Sequence, residues 1–302
     1  MASKKATNID EQIALLRSRG MSIDDEGKSK EILLDIGYYR LGFYCFPFEK
    51  SYPQKQNRTH EYRDETKFID VVDLHYFDFE LRSILLKYLS RIEINFRTHV
   101  TYIVSNHFPD SETWFIDENV VNNKYIAEFN SKVYSDNFKK NSFIKLHHTN
   151  HPKDKYAPVW KTVELMTFGS VIKLYEAVND VSIKQEIAKA YGVNKLSIFI
   201  NYMNTLCTIR NICAHGSVTY DLNLSKSISS GPALIVGQGN ERNNLYGVIR
   251  VIVFILDTIS GNRKNDFVND IERLMDNYKS NETLCNIIEN CSGLKFQKNI
   301  GY

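Results

Sequence analysis

Hydrophobic positions recur every three to four residues along most of this chain, the period of an amphipathic helix. Leu74, Phe77, Leu81, Ile84, Leu85, Tyr88, Ile92, Phe96 and Val100 predict one long helix over about 68–106, closed by Pro109 and the polar run Ser111 to Thr113. Gly192, Val193 and Asn194 break the pattern. Beyond them Leu196, Phe199, Ile200, Met203, Leu206, Cys207, Ile209 and Arg210 carry a second strong helix. Further helices fit about 9–19, 26–36, 119–134, 159–166, 168–179, 182–190, 241–259, 264–279 and 281–290. Three segments lack the period: the polar stretch 49–65, a surface loop; the basic and aromatic stretch 138–156; and 216–240, rich in Ser, Asn and Gly. In the last, Ala233 to Val236 has room for one short strand. The pattern predicts an all-α fold, an antiparallel helical bundle with additional N-terminal helices and long loops, and no fixed-period repeat.

With 302 residues, 43% of them hydrophobic and 25% charged, the chain has the make-up of a globular protein with its own core. It exceeds a typical single domain, so 1–65 reads as an N-terminal helical appendage and loop, and 66–302 as a helical domain with a basic insertion near 138–156. The net charge of +2 announces no nucleic-acid partner, and such a partner would need local clusters of Lys and Arg. Five scattered cysteines, without a Cys-x-x-Cys pair, imply reduced thiols rather than a zinc ribbon or a disulfide framework. The first twenty residues hold no apolar signal-like run, and Arg250 and Asp257 interrupt the most apolar stretch well short of a membrane span. A cytoplasmic protein without a membrane partner is expected. No Gly-rich phosphate loop, nucleophile elbow or His-Glu-x-x-His motif supports an ATPase, an esterase or a zinc peptidase.

The run Arg210 to His215 (RNICAH) closes the second strong helix, just before a polar loop. Asn211 and His215, four apart, share a helical face, and Arg210 lies about 140° from His215. An arginine fork holds phosphate oxygens. A histidine titrates near neutrality and can take the proton of a ribose 2′-hydroxyl. Together they suit RNA scission through a 2′,3′-cyclic phosphate. A histidine at a helix C-terminus also stabilises the dipole with no catalytic purpose, and spacing alone does not separate the two.

Thr208 to His215 (TIRNICAH) resembles the Arg-polar-x3-His signature of the HEPN ribonuclease superfamily. Other segments resemble one branch of it, the abortive-infection proteins of the Abi (AbiD/AbiF-like) family. They are Ile36 to Tyr44 with Pro47-Phe48, Leu74 to Arg82 (LHYFDFELR), Arg91 to Arg97, Pro158 to Trp160, Glu164 to Gly169 and Leu174 to Glu176. They stand in family order over about 30–260. The resemblance implies a HEPN-type bundle and a toxin-like, metal-independent endoribonuclease of phage defence. Arg210 and His215 would be its catalytic pair, oriented by Asn211. It also implies a homodimer that brings two such sets together, and an RNA partner, a small non-coding RNA, besides the RNA substrate. Where the family often carries His or Ser and then Arg after the histidine, Gly216 to Thr219 stands here. That departure either weakens phosphate binding or passes the role to a lysine elsewhere. A catalytically inactive RNA-binding protein of the same fold is the alternative.

Other polar residues are candidates for contact with RNA. Glu93, Arg97 and His99 are spaced to line the same cleft, or to form a solvated face or an ion pair. Lys139, Lys140, Lys145, His147, His148, Lys153 and Lys155 alternate with aromatic residues, as on a single-strand platform. Tyr38, Tyr39 and Arg40 offer rings and a cation to a base, or are core. No acidic or cysteine partner sits at ligand spacing from the histidines of 147–151, so no metal site is expected. Trp114 and Trp160 read as packing residues.

Overall fold

The computed structural model describes residues 5–233 and 239–296. Among them there is no strand beyond isolated bridges, and the fold is an all-α bundle. At its centre lies α4 (Phe68–His107), about 60 Å long at the helical rise. Its apolar residues fall on more than one stripe, so it can be covered from several sides. α3 (Tyr38–Cys45), α9 (Phe168–Ala177), α10 (Val181–Ala190), α11 (Leu196–Ala214), α12 (Leu245–Ile259), α13 (Gly261–Tyr278) and α14 (Glu282–Ser292) all pack on it. Leu74, Phe77, Leu81, Leu85, Ile92 and Phe96 are wholly buried. α12 is apolar almost all round, with Val248, Ile249, Val251, Ile252 and Ile255 fully enclosed, as expected of an internal helix.

α1 (Ile9–Ser18) starts on a capping box, Asn8 and Glu11 each accepting the other's backbone N–H at 2.8 Å. α2 (Glu26–Ile36) starts on Asp25, which accepts the Lys28 N–H. Both helices and α3 share one contiguous core with α4 through Ile13, Leu16, Leu33, Leu41 and Tyr44.

Several segments differ from the sequence reading. Residues 38–45, outside the helices that the sequence predicts, form α3. Residues 138–156 are not one loop: α6 (Asp136–Lys139) and α7 (Ser142–Asn150) fold there, capped by Ser135 and Asn141. The stretch before them is helical only in α5 (Asn123–Lys132), and Val159–Thr162 forms the short α8. The 49–65 loop is not wholly on the surface. Glu49 is buried and bound by Arg58 at 2.9 and 2.5 Å and by His60 at 3.1 Å, which together lower its pKa against the upward push of burial. The strand considered at 233–236 falls largely outside the described residues.

Candidate functional site

α11 runs antiparallel to α4. Phe199 meets Phe96 at a ring separation of 6.0 Å, Arg210 meets Glu93, and the loop after α11 meets Asp78. The buried face of α11, Tyr202, Leu206, Ile209 and Cys213, fixes which residues of its last turns remain outside. Asn211, Ala214 and His215 are exposed, and Arg210 is half-buried.

The helix ends on a Schellman turn. Ser217 N–H donates to the Ile212 carbonyl at 3.0 Å and Gly216 N–H to that of Cys213 at 3.1 Å, with Gly216 at φ +66°. Glycine stands directly after His215 because that position is left-handed. A β-carbon there costs about 1–2 kcal/mol, so Gly216→Ala is expected to lower the unfolding free energy by that amount in urea titrations. His215 is the C-cap, where a cation is favourable.

Arg210 points from α11 onto α4. Its Nε lies 3.3 Å from Glu93 Oε2, and Nη1 donates to Asn211 Oδ1 at 3.4 Å. The other Glu93 oxygen accepts from Arg97 Nη2 at 2.9 Å, and Arg97 also donates to the Met166 carbonyl at 2.9 Å. One carboxylate is thus shared by two guanidinium groups. Glu93 and Arg97 thus form an ion pair on α4 that reaches Arg210. His99 does not: its Nδ1 meets the Asn95 carbonyl and its ring packs 5.3 Å from Tyr191. Arg210 and His215 share one end of the helix, but their side chains are not hydrogen-bonded to each other.

A buried polar knot holds the loop that follows His215. Asp78, fully enclosed on α4, accepts the backbone N–H groups of Thr219 at 3.0 Å and Tyr220 at 2.7 Å, the Tyr44 hydroxyl at 2.8 Å, and Arg82. Arg82 also donates to the Tyr44 oxygen at 3.1 Å and the Ser217 carbonyl at 3.4 Å. Burial, then Asp78, pushes the Tyr44 hydroxyl up to about 12, so it stays a donor. Sequence reasoning missed the positioning role of Asp78 and Arg82, whose available signal was an acid and a base four apart on the buried side of a helix.

Next to this knot a cleft of about 510 Å³ opens between α3, α4 and the end of α11. Arg40, His75, Phe79, Arg82 and Gly216 line it. The Arg40 guanidinium reaches Gly216: a β-carbon there would lie 3.8 Å from Nη2 and 4.0 Å from Nη1. An arginine of α3 thus lies beside the loop that follows His215. His75 is buried, and its imidazole is pushed down to about 4 by burial first and then by Arg40 and Arg82. In the unfolded chain it titrates near 6.5. Between these values the unfolded chain binds the proton and the native one does not. Stability from this group is therefore complete above pH 6.5 and falls as pH drops toward 4, by about 3 kcal/mol in all. His75→Gln is expected to flatten that part of the stability-versus-pH curve.

The remaining candidates scatter. Tyr38 accepts from Arg19 at 3.2 Å, and Tyr39 is 82% exposed beside Phe43. Lys139, Lys140, Lys145, Lys153 and Lys155 are exposed. His148 is hydrogen-bonded to Tyr134 at 2.9 Å. His147 is buried and stacked on His151 at 4.8 Å, and burial lowers its pKa. Among the described residues no group of three or more His, Cys, Asp or Glu side chains is placed to hold a metal ion. Trp114 is core, donating to Ser105 at 3.0 Å, but Trp160 is 55% exposed and lines a groove with Arg97, Tyr102 and Glu164. Among the described residues no helix is long and apolar enough to cross a membrane.

The fold and site define an all-helical protein whose central antiparallel pair presents an Arg–Asn–His turn beside a basic cleft. Residues 31–221 match the Abi-like protein family, and the chain belongs to it. That membership associates the chain with abortive infection, a form of phage defence. No curated protein and no solved structure matches the chain significantly.

Proposed function

We propose that this chain is a metal-independent endoribonuclease of the HEPN type, acting as a toxin in phage defence. The observation that carries this reading is the last turn of α11. There Arg210 is held in place by Glu93 and donates to Asn211, while Asn211 and His215 are exposed to solvent. In the proposed reaction His215 takes the proton of a ribose 2′-hydroxyl. The 2′-oxygen bonds to the adjacent phosphorus, and the bond from phosphorus to the 5′-oxygen breaks; that oxygen takes a proton from water, and His215 returns its own to the solvent. Arg210 holds the phosphate oxygens through its fork. Asn211, whose amide oxygen lies next to Arg210, orients the group.

A homodimer is part of the proposal, supported by the exposed strip of Asn211, Ala214 and His215 and by the divergence of Arg210 from His215. So is a small RNA held by the exposed lysines of 139–155. Incubating the protein with end-labelled RNA in EDTA is expected to give fragments ending in 2′,3′-cyclic phosphate. No cleavage by the wild type would sink the nuclease reading. Five exposed lysines near Phe143, itself 67% exposed, favour a second reading, sequestration of RNA without cutting. Toxicity that survives His215→Ala but is lost with Lys139, Lys140 and Lys145 replaced by Gln would select it.

A further inference from the structure

The cleft beside α3 has the features of a built anion site that is separate from the Arg210–Glu93 pair. Among the described residues Arg40 has no carboxylate within ion-pairing distance, and its guanidinium lies 5.8 Å from the Tyr44 ring centre. Asp35 lines the mouth but is exposed and makes no ion pair with it. Beneath it sits His75, only 8% exposed, with neither ring nitrogen hydrogen-bonded and Nδ1 fully enclosed. A buried imidazole without a protein partner is costly unless water or a ligand satisfies it, and His75 lines the cleft, where its Nε2, the nitrogen that is not enclosed, is within reach of either. Arg82, although paired with Asp78, adds a second guanidinium to the wall. Asp78 compensates the charge of Arg82, so Arg40 is the guanidinium of the cleft left for an anion, and its planar fork matches phosphate oxygens.

The surroundings say which phosphate. Phe79 is 55% exposed and Tyr76 39% exposed on the rim, rings on which a base or ribose can lie. Gly216 forms one wall, and His215 immediately precedes it. Phe79, Ser83, Leu86, Ser90 and Glu93 follow one another at spacings of four and three, so one face of α4 leads from the cleft to Arg210. Ser83 and Glu93 are about 15 Å apart by helical rise, about four steps of a stacked strand at 3.4 Å each.

We infer that Arg40 and His75 form a second phosphate subsite, which grips the RNA strand a few nucleotides from the phosphate held by Arg210, with Phe79 as its stacking ring. This rests on the nuclease reading for its substrate, yet it concerns binding and can fail or stand apart from cleavage. In this arrangement the strand lies along α4 and crosses the end of α11 at His215. The neutral imidazole gives an N–H to a phosphate oxygen, and Arg40 neutralises the charge.

The test is strand binding without cutting. His215→Ala protein is titrated with a fluorescent RNA oligonucleotide carrying 2′-O-methyl riboses, read by anisotropy over a range of salt. Adding Arg40→Gln is expected to weaken binding roughly tenfold and to reduce the salt slope by about one contact. Arg40→Lys should recover part of the affinity. Phe79→Ala should weaken binding of the normal oligonucleotide more than that of an abasic one. The His75 imidazole signals in NMR should shift when the oligonucleotide is added, and thermal melts show whether each variant is folded. Unchanged affinity and salt slope in a folded Arg40→Gln variant would overturn the subsite. So would a His75 response to inorganic phosphate but none to the oligonucleotide, which would mark a free-phosphate site instead. Loss of the nuclease reading with Arg40-dependent binding intact would leave the subsite standing as a binding device.

Discussion

Replacing His215 with alanine is expected to slow RNA cleavage by about 100- to 10,000-fold, the range for loss of a general acid–base group. Its thermal unfolding should hardly change. His215 is exposed, caps α11 through its backbone, and has no side-chain hydrogen bond to lose. Its only stabilising effect is that of a cation near the carbonyl end of the helix, up to about 1 kcal/mol. Rate and stability therefore separate at this residue, which a structural histidine would not allow. Arg210→Ala should be equally silent in stability, because Glu93 keeps Arg97 as its partner. The rate loss for Arg210→Ala should show as a weaker grip on phosphate, relieved little by changing pH. Cleavage undiminished by His215→Ala would end the proposed mechanism.

The second large effect concerns folding. Asp78→Ala is expected to cost about 3–5 kcal/mol of unfolding free energy, since it leaves Arg82 buried and uncompensated. It also removes the acceptor of the Thr219 and Tyr220 amides, so activity should fall even where the chain still folds. Arg82→Met alone should be nearly as damaging. The double variant Asp78→Leu, Arg82→Met removes both charges and should be less destabilised than the sum of the two, a coupling that urea titrations of the four proteins measure. Additive losses would mean that the pair is not the unit described.

Much of the bundle was legible in the chain because its two principal helices are long and strictly periodic. α4 and α11 follow from Leu74 to Val100 and from Leu196 to Arg210 without any tertiary knowledge. α3, α6 and α7 escaped for physical reasons. They are short, carry tyrosines, lysines or histidines in place of a clear apolar stripe, and depend on packing or on Ser135 and Asn141 caps. In the site, the Arg210, Asn211 and His215 turn was visible as spacing, and the Glu93–Arg97 pair as a four-residue step. That Arg40 arrives at Gly216 was not, since 176 residues separate them and they meet only through tertiary packing of α3 and the loop after α11 on α4. Trp160 was misread because a large ring is ordinarily core, and here it faces solvent.

The Glu93 carboxylate, held by Arg97 on one oxygen and Arg210 on the other, would have a kinetic consequence for the proposed reaction. An anion arriving at Arg210 does not have to order a free, wandering side chain, but trades places with a carboxylate already in the same position. The exchange swaps one negative group for another, so the local field changes little while it happens. Glu93 is left with Arg97 and does not become an isolated buried charge. Departure of the anion reverses the trade. In the proposed reaction the guanidinium would thus pass back and forth between two acceptors, its aim preserved by the one that waits.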